Sequence, residues 1–121
     1  MDSILDSIKK LLGITSDYDV FDQDIIMAIN TSISILAQIG VTPDTDGFMV
    51  SSSDETWDDY LKNQNEIIHM VKHFIYMKTR LLFDPPISSI LSEVMNKQLD
   101  ELTFRIHIVV DPKEETSNET N

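Results

Sequence analysis

Apolar residues in this chain recur every three or four positions, and the runs they form stop at a glycine or a proline pair. No other feature restricts the fold as much, because this period lines one face of a helix, whereas a half-buried strand needs strict alternation. In the first run Ser3 is placed to cap a short helix whose apolar face is Ile4, Leu5, Ile8, Leu11 and Leu12. Lys9 and Lys10 fall in its last turn, where cations suit the helix dipole, and Gly13 stops it. The second run predicts a helix from about Asp22 to Ile39, with Asp22 as N-cap and Phe21 stapled against Ile26. Ile25, Ile29, Ile33 and Leu36 form its stripe, Ile26, Ile35 and Ile39 widen it, and Gly40 ends it. Its many β-branched residues lower helix propensity, so tertiary packing must hold it.

Residues 41–53 break the period. Pro43, Asp44, Asp46-Gly47 and a run of serines are turn signals, and Phe48-Met49-Val50 among them reads as a small strand near 47–50 or a projecting loop. Ser53-Asp54-Glu55 reads as the cap and first turn of a helix carrying Trp57, Tyr60 and Leu61, which Lys62-Asn63-Gln64-Asn65 either ends or continues as a wet surface. The strongest helix runs from about Asn65 to Phe83 on Ile67, Ile68, Val71, Phe74, Ile75, Leu81 and Leu82. Asp84-Pro85-Pro86 closes it, since proline lacks an amide donor and restricts the residue before it. A last helix starts near Ser88 or Ser89 and carries Ile90, Leu91, Val94, Leu99, Leu102 and Ile106, with His107 to Val110 expected as an extended continuation. The expected fold is all-α, with four to five helices, one irregular central loop, one domain over residues 1–110 and a disordered acidic tail over 111–121.

A chain of 121 residues with 41% hydrophobic content is of single-domain size and rich enough in apolar residues to bury a core. The absence of cysteine excludes a disulfide framework, a thiolate metal site and a cysteine nucleophile. The start, Met1-Asp2-Ser3-Ile4-Leu5-Asp6, carries acids where a signal peptide needs positive charge, and no stretch is long and apolar enough to span a membrane. Asn30-Thr31-Ser32 and Asn118-Glu119-Thr120 therefore read as chance sequons, and the expected compartment is the cytoplasm. The net charge of −12 argues against general binding to nucleic acid or an anionic membrane. Residues 1–60 hold 12 acids and 2 bases, net −10, while 61–121 hold 9 acids and 7 bases, net −2. Within 62–80, Lys62, Lys72, Lys78 and Arg80 face Glu66 alone, which is either a solvated helix face or one half of a head-to-tail contact between subunits.

No reacting constellation emerges. Asp17, Asp19, Asp22 and Asp24 resemble a cation loop, but an EF-hand begun at Asp17 would place Phe21, Asp22 and Ala28 where an oxygen ligand, Gly and Glu belong. Acids at a helix start are the simpler reading. His69 and His73 share a helix face with Glu66 three residues before, yet the zinc-protease glutamate is missing and a surface pair is favoured over a metal site. Gly13, Gly40 and Gly47 sit at stops or turns rather than in a phosphate loop, and no nucleophile elbow is present. No cofactor is expected. Trp57, alone in the acidic stretch Asp54 to Tyr60, is as consistent with an interface anchor as with a core residue.

The order of segments resembles the small head–tail connector (adaptor) proteins of tailed bacteriophages, especially those of phages and prophages of Gram-positive bacteria. Ile8-Lys9-Lys10-Leu11-Leu12-Gly13-Ile14, Asp22-Gln23-Asp24-Ile25-Ile26-Met27-Ala28-Ile29-Asn30 and Leu36-Ala37-Gln38-Ile39-Gly40-Val41 carry the likeness, with Gly47-Phe48 ahead of Trp57. The most distinctive stretch is Tyr76-Met77-Lys78-Thr79-Arg80-Leu81-Leu82-Phe83-Asp84-Pro85-Pro86 before a final helix. The resemblance covers about residues 4–106. It implies a helical, non-enzymatic virion neck protein that forms a ring with copies of itself under the portal, joins it to the next neck, stopper or tail component, and lets DNA pass without sequence-specific binding and without a membrane. On that reading Phe48, Trp57 and Tyr60 of the central excursion and the basic Lys72, Lys78 and Arg80 are expected at subunit or partner contacts. Asp17, Asp19, Asp44 and Asp46 are the candidate lumen acids, repelling the duplex, and the tail is expected to order on docking to the portal. The rival class is an acidic regulator that mimics DNA charge to occupy a basic protein.

Overall fold

The computed structural model describes residues 2–43, 45–62 and 66–110. Among them are five helices and no strand: α1 (Ile4–Leu11), α2 (Asp22–Gln38), α3 (Trp57–Tyr60), α4 (Ile68–Phe83) and α5 (Ser89–Val110). Helix α4 is the central element, with α2 and α5 packed on it and α1 lying across α2 and α4. The all-α expectation stands. Asp44, residues 63–65 and the tail 111–121, where turn, helix-start and disorder were expected, lie outside the described residues.

The helix ends follow from their chemistry. The Ser3 hydroxyl accepts from the Asp6 amide and caps α1. At its other end Gly13, at φ +83°, donates to the Lys10 carbonyl while Ile14 donates to that of Lys9, a Schellman closure. Helix α2 repeats it, with Gly40 donating to Ala37 and Val41 to Leu36, both of the latter pair fully buried. A β-carbon on Gly40 would lie 2.7 Å from Val110 Cγ2, so the end of α5 approaches there as only glycine allows. The Ser88 hydroxyl caps α5 by accepting from the Leu91 amide. His107 to Val110 continue that helix rather than extending.

Several boundaries differ from the sequence reading. Phe21 holds the N-cap position of α2 without a side-chain bond, and Asp22 is its first helical residue. Phe21 packs against the Tyr18 and Phe83 rings, at 5.9 and 5.4 Å. The short helix starts three residues later than expected: Thr56 caps α3 and Asp59 completes a capping box, each side chain bonding the other's amide. Helix α4 begins at Ile68, after Ile67 in the N-cap position.

Phe48-Met49-Val50 forms no strand. The Asn30 side-chain amide donates to the Val50 carbonyl at 2.9 Å and accepts from its amide at 2.8 Å, so one side chain satisfies the backbone groups a neighbouring strand would have taken. The one β-bridge among the described residues lies elsewhere, between Ser3 and Thr56. Beside it Ile4 donates to the Glu55 carbonyl and Trp57 to that of Asp2.

Helix α1 buries Ile4, Leu5 and Ile8 and packs Leu12 on the core as expected, with one departure and one addition. Leu11 is exposed, whereas Lys9 is fully buried. The Lys9 ammonium lies 2.7 Å from Asp22 Oδ1 and donates to the Ser16 carbonyl at 3.1 Å. The Asp22 oxygen falls outside hydrogen-bonding angles, so the first contact is a charge pair rather than a hydrogen bond. Together they tie α1, the 14–21 loop and the start of α2.

Candidate functional site

Trp57 and Tyr60 are core residues. Trp57 donates from its indole nitrogen to the Ser7 hydroxyl at 3.1 Å and packs inside the cluster that includes Ile4, Ile8 and Val71. Tyr60 is enclosed completely, and burial pushes its phenol pKa well above the ordinary value, so it stays neutral. Its hydroxyl has no partner among the described residues. The sequence could not decide between anchor and core for Trp57, because an acidic neighbourhood says nothing of the helix's other side. Only Phe48 keeps part of its surface outward, while its ring stacks on Tyr60 at 5.2 Å.

The basic residues divide. The Lys72 ammonium sits 5.3 Å from the centre of the Trp57 ring, a cation–π contact. Arg80 donates to the Tyr76 hydroxyl at a long 3.5 Å. Lys78, half-buried on the same helix, joins neither of the salt bridges among the described residues. The structure thus directs two of the three expected contact cations to aromatic side chains of their own chain, Lys72 to a ring face and Arg80 to a phenol hydroxyl.

Three of the four candidate lumen acids, Asp17, Asp19 and Asp46, are exposed but stand on different segments. Asp17 and Asp19 lie on the loop leading into α2, while Asp46 lines a groove with Asn30, Ser34 and Ala37 along the C-terminal half of that helix. Asp44 lies outside the described residues. Glu55 is the acid with a built environment. Partial burial raises its pKa, but the Ser51 hydroxyl and the amides of Ser51 and Ser52 all donate to it and outweigh that, leaving it below the ordinary value of 4.5. This carboxylate organises its own loop.

His69 and His73 are both exposed, and no group of three potential metal-ligating side chains occurs among the described residues. No described helix is long and apolar enough to cross a membrane.

The most conspicuous surface is one the sequence reading did not separate. Ile90, Val94, Phe104 and Ile108 of α5 are exposed, on the face opposite the buried Met95, Leu99 and Ile106. The signal was present as apolar residues on both sides of one helix, a pattern that calls for cover on both. The sequence reading places Ile90, Leu91 and Val94 on the same helix as Leu99, Leu102 and Ile106 without dividing them between faces.

A helical bundle with side chains committed to its own packing and apolar surface left over is built to dock with other proteins. Its sequence matches the model of the phage connector protein family over residues 4–113, and the chain belongs to that family. It is a phage head–tail connector. No curated protein and no solved structure matches it.

Proposed function

We propose that this connector subunit works in the virion neck, assembling as a ring beneath the portal, joining it to the next neck, stopper or tail component, and letting DNA through at ejection. The observation that carries the reading is the family match across nearly the whole folded chain. The protein then acts by assembly, with no catalytic step. Phe48 on its clamped loop and Lys78 on α4 are the expected points of contact with neighbouring subunits, while Trp57, Tyr60, Lys72 and Arg80 support those surfaces from behind. Asp17, Asp19, Asp44 and Asp46 face the channel, where a negative wall repels the duplex and a basic one would hold it in a salt-dependent way.

Electron microscopy of the protein mixed with its portal tests the assembly. Rings on the portal are expected, and unbound subunits at saturating concentration would reject it. Charge reversal of Asp17, Asp19, Asp44 and Asp46 to lysine is expected to slow ejection. An unchanged rate from particles with intact rings rejects the lumen role alone.

A further inference from the structure

The exposed face of α5 carries Ile90, Val94, Lys97, Glu101, Phe104 and Ile108, all open to solvent. Their spacings are four, three, four, three and four, the rhythm that keeps one seam of a helix facing a partner helix. The order of residue types (apolar, apolar, cation, anion, apolar, apolar) is a charge-complementary palindrome, which reads the same backwards with the two charges exchanged. Laid antiparallel on itself about an axis near residue 99, the seam sets Ile90 against the partner copy's position 108, Val94 against 104 and Lys97 against 101. Every apolar residue meets an apolar residue, and each charge meets its opposite twice over. Lys97 forms no ion pair among the described residues, and Glu101 reaches only Arg105 of its own helix at 2.9 Å.

We propose that α5 pairs antiparallel with α5 of a second copy, giving a two-fold dimer distinct from ring contacts. A two-fold contact is isologous and closes on two subunits, whereas a ring needs a heterologous one. The dimer thus covers an apolar face of the unassembled subunit. Other occupants of this face have less support, because a partner of different sequence has no reason to match its palindrome.

Cysteine cross-linking in the full-length protein tests the pairing, and the chain has no cysteine of its own to interfere. Ile90→Cys and Ile108→Cys are made separately. Positions 90 and 108 are about 27 Å apart along the helix at 1.5 Å per residue. Antiparallel pairing therefore predicts that mild oxidation forms no covalent dimer of either variant alone but cross-links their mixture. Cross-linking of either variant alone, or none in the mixture, overturns it. Sedimentation gives the second measurement. Lys97→Glu and Glu101→Lys should each weaken the dimer at least about tenfold, because two attractive pairs become repulsive, and combining them should restore it. A monomeric wild type at the highest soluble concentration, or indifference to both single changes, overturns the proposal. Ring formation on the portal is scored separately, so rings that form without the dimer remove this pairing and leave the connector reading intact.

Discussion

Replacing Asp22 with asparagine removes the one carboxylate paired with Lys9 among the described residues; the Lys9 side chain is 1% exposed, against 24% for Asp22. The asymmetry decides the magnitudes. After Asp22→Asn the ammonium stays buried with the Ser16 carbonyl as its remaining partner, and stranding a buried charge costs about 3–5 kcal/mol. After Lys9→Met the apolar stem is kept and the stranded carboxylate reaches water in the first turn of α2, where the helix dipole favours it. The cost falls to about 1–2 kcal/mol. Replacing both at once, Lys9→Met with Asp22→Leu, should come close to wild type, since a packed apolar pair is often as stable as a buried ionic one. Asp24→Asn is the control for the dipole alone, at under about 1 kcal/mol. With a total stability of about 5–15 kcal/mol expected for one domain, Asp22→Asn removes a large share. Urea unfolding followed by fluorescence measures all four, because the single tryptophan is buried on the Ser7 hydroxyl and reports the seating of α1. A cost for Asp22→Asn no greater than that for Lys9→Met would refute the argument.

Three further outcomes follow from contacts already described. Asn30→Ala leaves the Val50 amide and carbonyl unpaired and should cost about 1–3 kcal/mol, with faster hydrogen exchange at Val50 as its local signature. Tyr60→Phe removes a buried hydroxyl with no partner among the described residues while keeping the stack on Phe48, so unfolding midpoints should hold or rise. Glu55 has a lowered folded pKa, so its stabilisation is complete above the unfolded value and disappears as pH falls through the folded one. Urea midpoints between about pH 3 and 6 should therefore fall less steeply for Glu55→Gln than for wild type.

The helices were legible because their evidence is local. Gly13 and Gly40 stop α1 and α2, and Asp84-Pro85 ends α4, each where backbone chemistry requires it. What escaped depends on partners distant in sequence. Lys9 occupies the buried stripe of α1, one turn after Leu5, but its charge read only as a last-turn complement to the helix dipole, and its partner Asp22 lies thirteen residues away. Phe48-Met49-Val50 has the composition of a strand, and nothing local reveals that Asn30, twenty residues earlier, would take the place of a neighbour. Among the expected contact residues, Trp57 and Tyr60 were chosen for their type, and type alone does not distinguish an anchor from a core residue. The family was recognisable from the order of weak motifs, which survives uncertainty about where any one side chain points.

The stitch between residues 2–4 and 55–57 has a consequence for biosynthesis. Helix α1 leaves the ribosome well before the segment it is stitched to: its bridge to Thr56, its bond to the Glu55 carbonyl and the Trp57 donation to Ser7 all require chain made some fifty residues later. Until then it is an amphipathic segment without a seat, and closing so long a loop costs entropy before any of these bonds is gained. Helix α1 should therefore dock only after translation has passed α3, and until then it is the segment a cellular chaperone would meet.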